Sequence, residues 1–172
     1  FEYQNLSSTS PASLSGLTIN SGGTLRHKAN TSVYTNALNL NIFGNATINN
    51  GGSINISGKG YAGNVTATGS APALTGGGGS YYGIAGGGGA YGGAGGQGRN
   101  NTTISTSSNP YGSSTAPTDL GASGGAGGSI YAGGAGGGAV KLNVTGTLRV
   151  AYGASINANG SNGVGSGNYD PG

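Results

Sequence analysis

The segment Leu38 to Gly58, LNLNIFGNATINNGGSINISG, returns as Val140 to Gly160, VKLNVTGTLRVAYGASINANG, without insertion or deletion. Adding 102 carries Leu38 to Val140, Leu40 to Leu142, Ile42 to Val144, Gly44 to Gly146, Ile48 to Val150, Gly51 to Gly153 and Ile54 to Ile156. A shorter copy lies upstream, where LTINSGGTL at Leu17 to Leu25 maps onto ATINNGGSI at Ala46 to Ile54 by adding 29. One structural unit is therefore used at least three times, and self-similarity of this kind constrains architecture before any local propensity does.

Within the unit the apolar residues alternate: Leu38, Leu40, Ile42, then Ala46 and Ile48, then Ile54 and Ile56. Alternation sends every second side chain to one face, as in a strand buried on one side. Phe43-Gly44-Asn45 and Asn49-Asn50-Gly51-Gly52 separate the runs. Gly and Asn tolerate positive φ, so these are corners. A unit of strand, corner, strand, corner, strand either folds into antiparallel hairpins or coils. Coiling is the reading the copies favour. Stacked copies put Ile19, Ile48 and Val150 in equivalent inward positions and let the corner Asn residues form ladders, the logic of a β-solenoid.

The chain has 172 residues, of which 42 are Gly; 5% are charged, the net charge is +3, and Cys, Met and Trp are absent. So small a net charge excludes disorder driven by self-repulsion. Without Cys there is no disulfide framework and no thiolate metal site. No apolar run approaches a membrane span, and Phe1-Glu2-Tyr3-Gln4 does not read as a signal peptide, so either a signal has been cleaved or the sequence is an excised segment. A surface built on Ser, Thr, Asn, Gly and Tyr points to an extracellular or cell-surface location. The sequons at Asn30, Asn45, Asn64 and Asn143 agree with it.

In chain order, residues 1–12 read as an opening strand or linker that ends at the break of Pro11. Residues 13–172 form a single β-solenoid domain with a glycine-rich insertion at about 70–138. Arg26-His27-Lys28 is expected to be a solvated basic corner, too small for nucleic acid. Thr31 to Tyr34 is expected to be a strand. Two glycine blocks, Gly76–Gly98 and Gly121–Gly138, flank a polar tip, Arg99–Leu120, with a turn at Asn109-Pro110-Tyr111-Gly112. Such blocks have little to bury against the entropy of ordering them, so a flexible linker is one reading. The other follows from glycine at 83, 86, 89, 92, 95 and 98. A helix of three residues per turn would then carry a bare face able to pack closely and exchange N–H to C=O bonds. The blocks lack the proline of collagen, and no Gly-Lys-Ser/Thr or strand-to-helix context makes them a phosphate loop.

The texture GxLxINxGGxI, carried by Leu17–Leu25, Leu38–Gly58 and Val140–Gly160, resembles the right-handed parallel β-helices of bacterial surface adhesins, including autotransporter passenger and filamentous-haemagglutinin-like domains. The glycine blocks at Gly83–Gly98 and Gly121–Gly138 resemble the polyglycine-II sandwich of phage tail-tip adhesins, where glycine helices display receptor-binding loops. This chain departs from the latter in having β-repeats on both sides. Together the resemblances imply an all-β fold, a right-handed parallel β-helix with a glycine-rich insertion of polyglycine-II type, that displays a surface for adhesion or assembly.

The polysaccharide lyases and hydrolases that share parallel β-helices need converging carboxylates. This chain owns three acids, Glu2, Asp119 and Asp170, widely separated, and a lone His27 with no triad spacing. Lys28, Lys59 and Lys141 lack the buried acid an isopeptide crosslink with Asn requires. The sequence thus predicts a non-enzymatic protein with no cofactor, no metal, no catalytic residue, no nucleic-acid partner and no membrane insertion by this segment. Tyr81, Tyr82, Tyr91, Tyr111 and Tyr131 sit in or beside glycine-rich stretches, where small neighbours cannot cover a ring. They are the candidate binding surface, for sugar faces or another protein, unless they cover the flank of the solenoid. The expected function is an extracellular structural or adhesive module. Its expected partners are other copies joined head to tail in a filament, or a surface glycan or receptor bound by a monomer. Ice binding on Thr and Asn ladders is a third class.

Overall fold

The computed structural model describes residues 2–3, 10–63, 86–98, 104, 109–127 and 131–164. The described strands are β1 (Glu2–Tyr3), β2 (Ala12–Leu14), β3 (Leu17–Ile19), β4 (Thr24–His27), β5 (Leu38–Ile42), β6 (Ala46–Ile48), β7 (Ser53–Asn55), β8 (Val140–Val144), β9 (Leu148–Val150) and β10 (Ser155–Asn157). They form three sheets with orders β1-β4-β7-β10, β2-β5-β8 and β3-β6-β9, and all pair in parallel. Each passage of the chain thus lays one strand on each sheet. β2–β4, β5–β7 and β8–β10 are three successive rungs of a solenoid-like stack, and hairpin pairing of these strands does not occur.

Register follows the sequence repeat. Leu38 faces Val140, Ile42 faces Val144 and Ile48 faces Val150, at the offset of 102, while Ile19 faces Ile48 at 29. On the β2–β5 ladder the offset drops to 28, since Ala12 faces Leu40. The difference is taken up at the following corner, where Phe43-Gly44-Asn45 stands opposite only Ser15-Gly16. Phe43 is exposed at that corner.

Alternation has the predicted consequence. Leu38, Leu40, Ile42, Ala46, Ile48, Ile54 and Ile56 are buried in one cluster with Ile19, and the side chains between them face outward or sideways. The corners repeat too. Gly23 donates to Asn20, Gly52 to Asn49 and Ala154 to Ala151, and the third residue of each turn is a glycine with φ of 74° at Gly22, 75° at Gly51 and 77° at Gly153. That conformation lies in the left-handed region, where a Cβ is strained. Asn residues bridge rungs both at corners and along strands: at the corners Asn49 Nδ2 donates to Asn20 Oδ1 at 3.0 Å, and on the β5–β8 ladder Asn143 Nδ2 donates to Asn41 Oδ1 at 2.8 Å.

Three local expectations need correction. Thr31–Tyr34 is not a strand. It lies in a loop organised by buried Asn30, whose Oδ1 accepts from the backbone N–H of Thr35 and Asn36 and whose Nδ2 donates to the carbonyls of Asn36 and Lys59. A glycan cannot be attached to that amide in the folded chain. The Arg26-His27-Lys28 corner is only partly solvated, because His27 is buried while its neighbours are exposed. Val150 occupies the register position of Ile48 but is 45% exposed against 1%, because no rung among the described residues covers it.

Between β7 and β8 the glycine-rich excursion returns to the stack. Gly121 and Gly124 donate to Gly137 and Gly134, Ala122 and Gly125 donate to Ala90 and Gly87, and Ser161 and Val164 donate to Ala135 and Ala132. Donors three apart share one neighbour, and the next residue along serves a different one. The segment 131–138 is consequently surrounded: its carbonyls at 134 and 137 serve 121–124, those at 132 and 135 serve 161–164, and that at 136 serves Gly60.

Candidate functional site

Each glycine block turns back on itself rather than running as one straight arm. Gly88 donates to Gly96 across a reversal at Tyr91–Gly93, and Gly127 pairs with Tyr131 in an antiparallel bridge. The unbroken bare face expected from Gly83 to Gly98 is therefore interrupted at Tyr91, with Gly83 outside the described residues. Close approach explains the glycine content. An added Cβ would lie 1.9 Å from the Gly121 carbonyl oxygen at Gly136, 1.8 Å from the Ala158 oxygen at Gly137 and 1.8 Å from the Gly133 oxygen at Gly63. Backbone packs on backbone, and hydrogen bonds replace apolar burial.

Above this packed layer the polar tip is held by two tyrosines. The rings of Tyr91 and Tyr111 meet edge to face at 5.2 Å between centroids and 70° between planes. The Tyr91 hydroxyl oxygen accepts from the N–H groups of Thr118 and Asp119, each at 3.1 Å, and the Tyr111 hydroxyl donates to the carbonyl of Leu120. Tyr111 N–H donates to the Tyr91 carbonyl at 2.6 Å. The predicted turn is present, with Gly112 at φ 67° pressed against the Tyr91 ring. Burial pushes the Tyr111 hydroxyl well above the ordinary tyrosine range, reinforced by Tyr61, Tyr91 and Asp119. Tyr61, which is buried, and Tyr34, whose hydroxyl donates to the Thr118 carbonyl at 3.2 Å, are raised first by burial and then by Asp119.

Of the candidate binding tyrosines, the structure brings Tyr91 and Tyr111 together as half-buried supports of the tip. Tyr131 is half-buried in the bridge to Gly127 some way along the same layer, and Tyr81 and Tyr82 lie outside the described residues. Sequence reasoning missed Tyr152, 96% exposed at a rung corner, and Tyr61, which is buried and whose backbone donates to Gly121 and accepts from Gly136. The signal for Tyr152 was its place in the corner copy Ala151-Tyr152-Gly153-Ala154, where the middle rung has Asn50.

An open cleft of about 430 Å³ lies beside the tip, walled by glycine backbone and edged by Tyr91, Pro117, Asp119 and Ser161. It offers a carboxylate, a hydroxyl and part of one aromatic ring, a set that suits a hydroxyl-rich ligand. Asp119 is the one acid whose side chain is described, and no group of three or more His, Cys, Asp or Glu occurs among the described residues. No helix among the described residues is long and apolar enough to cross a membrane. No protein-family model, curated protein or solved structure matches the chain.

Proposed function

We propose that the chain is a non-enzymatic extracellular structural or adhesive module, a right-handed parallel β-helix carrying a polyglycine-II bundle that presents the polar tip around residues 109–119. The observation that carries this reading is the period of three in the backbone hydrogen bonds of segment 131–138, whose successive carbonyls serve three different neighbours. A helix of three residues per turn presents its peptide groups in that way. Right-handedness follows from the hand of parallel crossovers within one sheet, right-handed in about 98% of cases. The polar side chains are spent on architecture, the Asn residues on rung-to-rung bonds and the Tyr hydroxyls on the backbone of the tip. A rigid stalk with a shaped polar end is what adhesion requires, and the cleft at Tyr91 and Asp119 supports a surface glycan as the ligand.

The test is binding to a panel of immobilised cell-surface glycans, with reducing ends measured in parallel. The native chain is expected to be retained without releasing reducing ends, and replacement of Asp119 by Asn with Pro117 by Tyr to obstruct the cleft is expected to abolish retention. Release of reducing ends or of unsaturated sugar would overturn the non-enzymatic reading, and retention unchanged by the double replacement would overturn the cleft.

A further inference from the structure

The stack ends in two unlike faces that fit one another. In the middle rung Ala46, Ile48 and Ile54 are 0%, 1% and 0% exposed; their register partners in the last rung, Leu148, Val150 and Ile156, are 44%, 45% and 39% exposed. Among the described residues β8, β9 and β10 are also the terminal strands of all three sheets, and no described strand pairs on their outer edges. At the opposite end the interior opens through a cavity of about 430 Å³ lined by Leu14, Leu17, Ile19 and Leu25 with Leu38 and Leu40 behind them. β1 does not close it. That strand registers against Arg26 and His27 only, while β2 and β3 are terminal in their sheets.

We propose that the last rung of one copy, β8–β10, seats the first rung, β2–β4, of a second copy of this chain, continuing the parallel sheets in the same register, with β8 and β9 pairing on the free edges of β2 and β3 and β10 taking from the two-residue β1 the edge of β4 that β1 holds within one copy. This deepens the structural-module reading above and rests on it. The surface that covers a rung in this fold is another rung of the same repeat, and the chain carries one at its far end. Continuing the register sets Leu142 and Val144 against Ala12 and Leu14 of the next copy, Leu148 and Val150 against its Leu17 and Ile19, and Ile156 against its Leu25. The outward charges do not oppose this. Lys141 meets Pro11, Arg149 meets Thr18 and Asn157 meets Arg26, so no like-charged pair faces across the seam. The contact joins different patches on the two copies and advances along the stack, so it does not close and builds a linear polymer.

Cysteine crosslinking tests the register directly, since the chain has no Cys of its own. Thr18 and Arg149 both point outward, and each pairs with Thr47 from opposite sides. Within one copy they stand two strand spacings apart, about 9.5 Å, beyond the roughly 7 Å between Cα atoms that a disulfide spans. Between copies in the proposed contact they are direct neighbours. Mild oxidation of the T18C/R149C variant is expected to give a reductant-sensitive ladder of dimers, trimers and larger species. The S13C/R149C variant, whose residues lie on different sheets, should yield no ladder beyond the dimer. Adding V150D to T18C/R149C should reduce the ladder at least tenfold. Monomer alone from T18C/R149C, or equal ladders from both pairs, would overturn the contact. A ladder in a protein that fails the glycan test would sink the adhesive reading and leave this one standing; glycan retention without a ladder would do the reverse.

Discussion

Gly136 admits no other side chain, and the reason is a single distance. A Cβ there would stand 1.9 Å from the Gly121 carbonyl oxygen, an atom fixed by the backbone and unable to swing away. Gly136→Ala should therefore cost about 1–3 kcal/mol or more, as overpacking does. Gly93→Ala, where the same probe meets nothing within 4 Å, should stay within about 0.5 kcal/mol of the parent. Urea denaturation of the two variants makes the comparison, and equal losses would show that close backbone packing is not what selects glycine. His27 is the second such residue. Its Nδ1–H donates to the Lys28 carbonyl at 2.7 Å, while Nε2 has no hydrogen-bond partner among the described residues and faces Gly138. Burial lowers its pKa below 6.5, with Lys59 adding to the effect and the Lys28 bond opposing it. The unfolded chain then binds the proton more readily, so stability rises with pH across this interval. It should be full above the unfolded value and fall away as the pH drops through 6.5 toward the folded value. Melting temperature between pH 8 and pH 5 measures it, with His27→Asn flattening the profile.

Among elements, the same inward position in different rungs offers a graded series. Ile48→Ala in β6 empties a fully enclosed site and should cost about 2–5 kcal/mol, whereas Val150→Ala in β9, half open to water, should cost well under half as much. Equal costs would mean that the last rung is already covered. The tip responds at the other end of the pH scale. Burial raises the hydroxyls of Tyr34, Tyr61 and Tyr111, so the fold favours their protonated forms. Their contribution is present below pH 10 and is lost as the pH climbs through their raised values. Absorbance at alkaline pH should show a group of tyrosines ionising late and together with loss of tertiary structure; simple titration of all ten near pH 10 would contradict the described tip. The rungs were legible in the sequence because aliphatic inward residues recur at a fixed offset of 102, and Leu38, Ile48 and Ile54, answered by Val140, Val150 and Ile156, carry that signal in their own chemistry. The glycine layer was legible only in part. Its partners are peptide groups, which leave no trace in residue identity, so the period of three at 86, 89 and 92 was visible while the reversal at Tyr91–Gly93 was not. The Asn30 loop was hidden for another reason: one side chain satisfying five hydrogen bonds, two of them to the carbonyls of Asn36 and Lys59, looks in sequence like any of the chain's many asparagines.

At the scale of the molecule, two unlike solutions to the burial problem share one chain. The rungs bury aliphatic side chains between parallel sheets, and the glycine segments bury little but each other's backbone. They join at shared residues: Gly138 donates to the Ile56 carbonyl, Gly58 to that of Asn159, and Gly60 to that of Gly136. The excursion is thus fastened to the middle and last rungs together, and the two parts should unfold in a single transition. Calorimetry of the whole chain would show one peak, and Gly136→Ala would move it without splitting it. All of this depends on successive passages of the chain lying parallel and in register. Spin labels at Thr47 and Arg149, outward-facing partners on β6 and β9, test it most directly by continuous-wave EPR at high dilution. The account predicts strong dipolar and exchange broadening from backbones about 4.8 Å apart, absent from either single label; a spectrum equal to the sum of the two single-label spectra would contradict it.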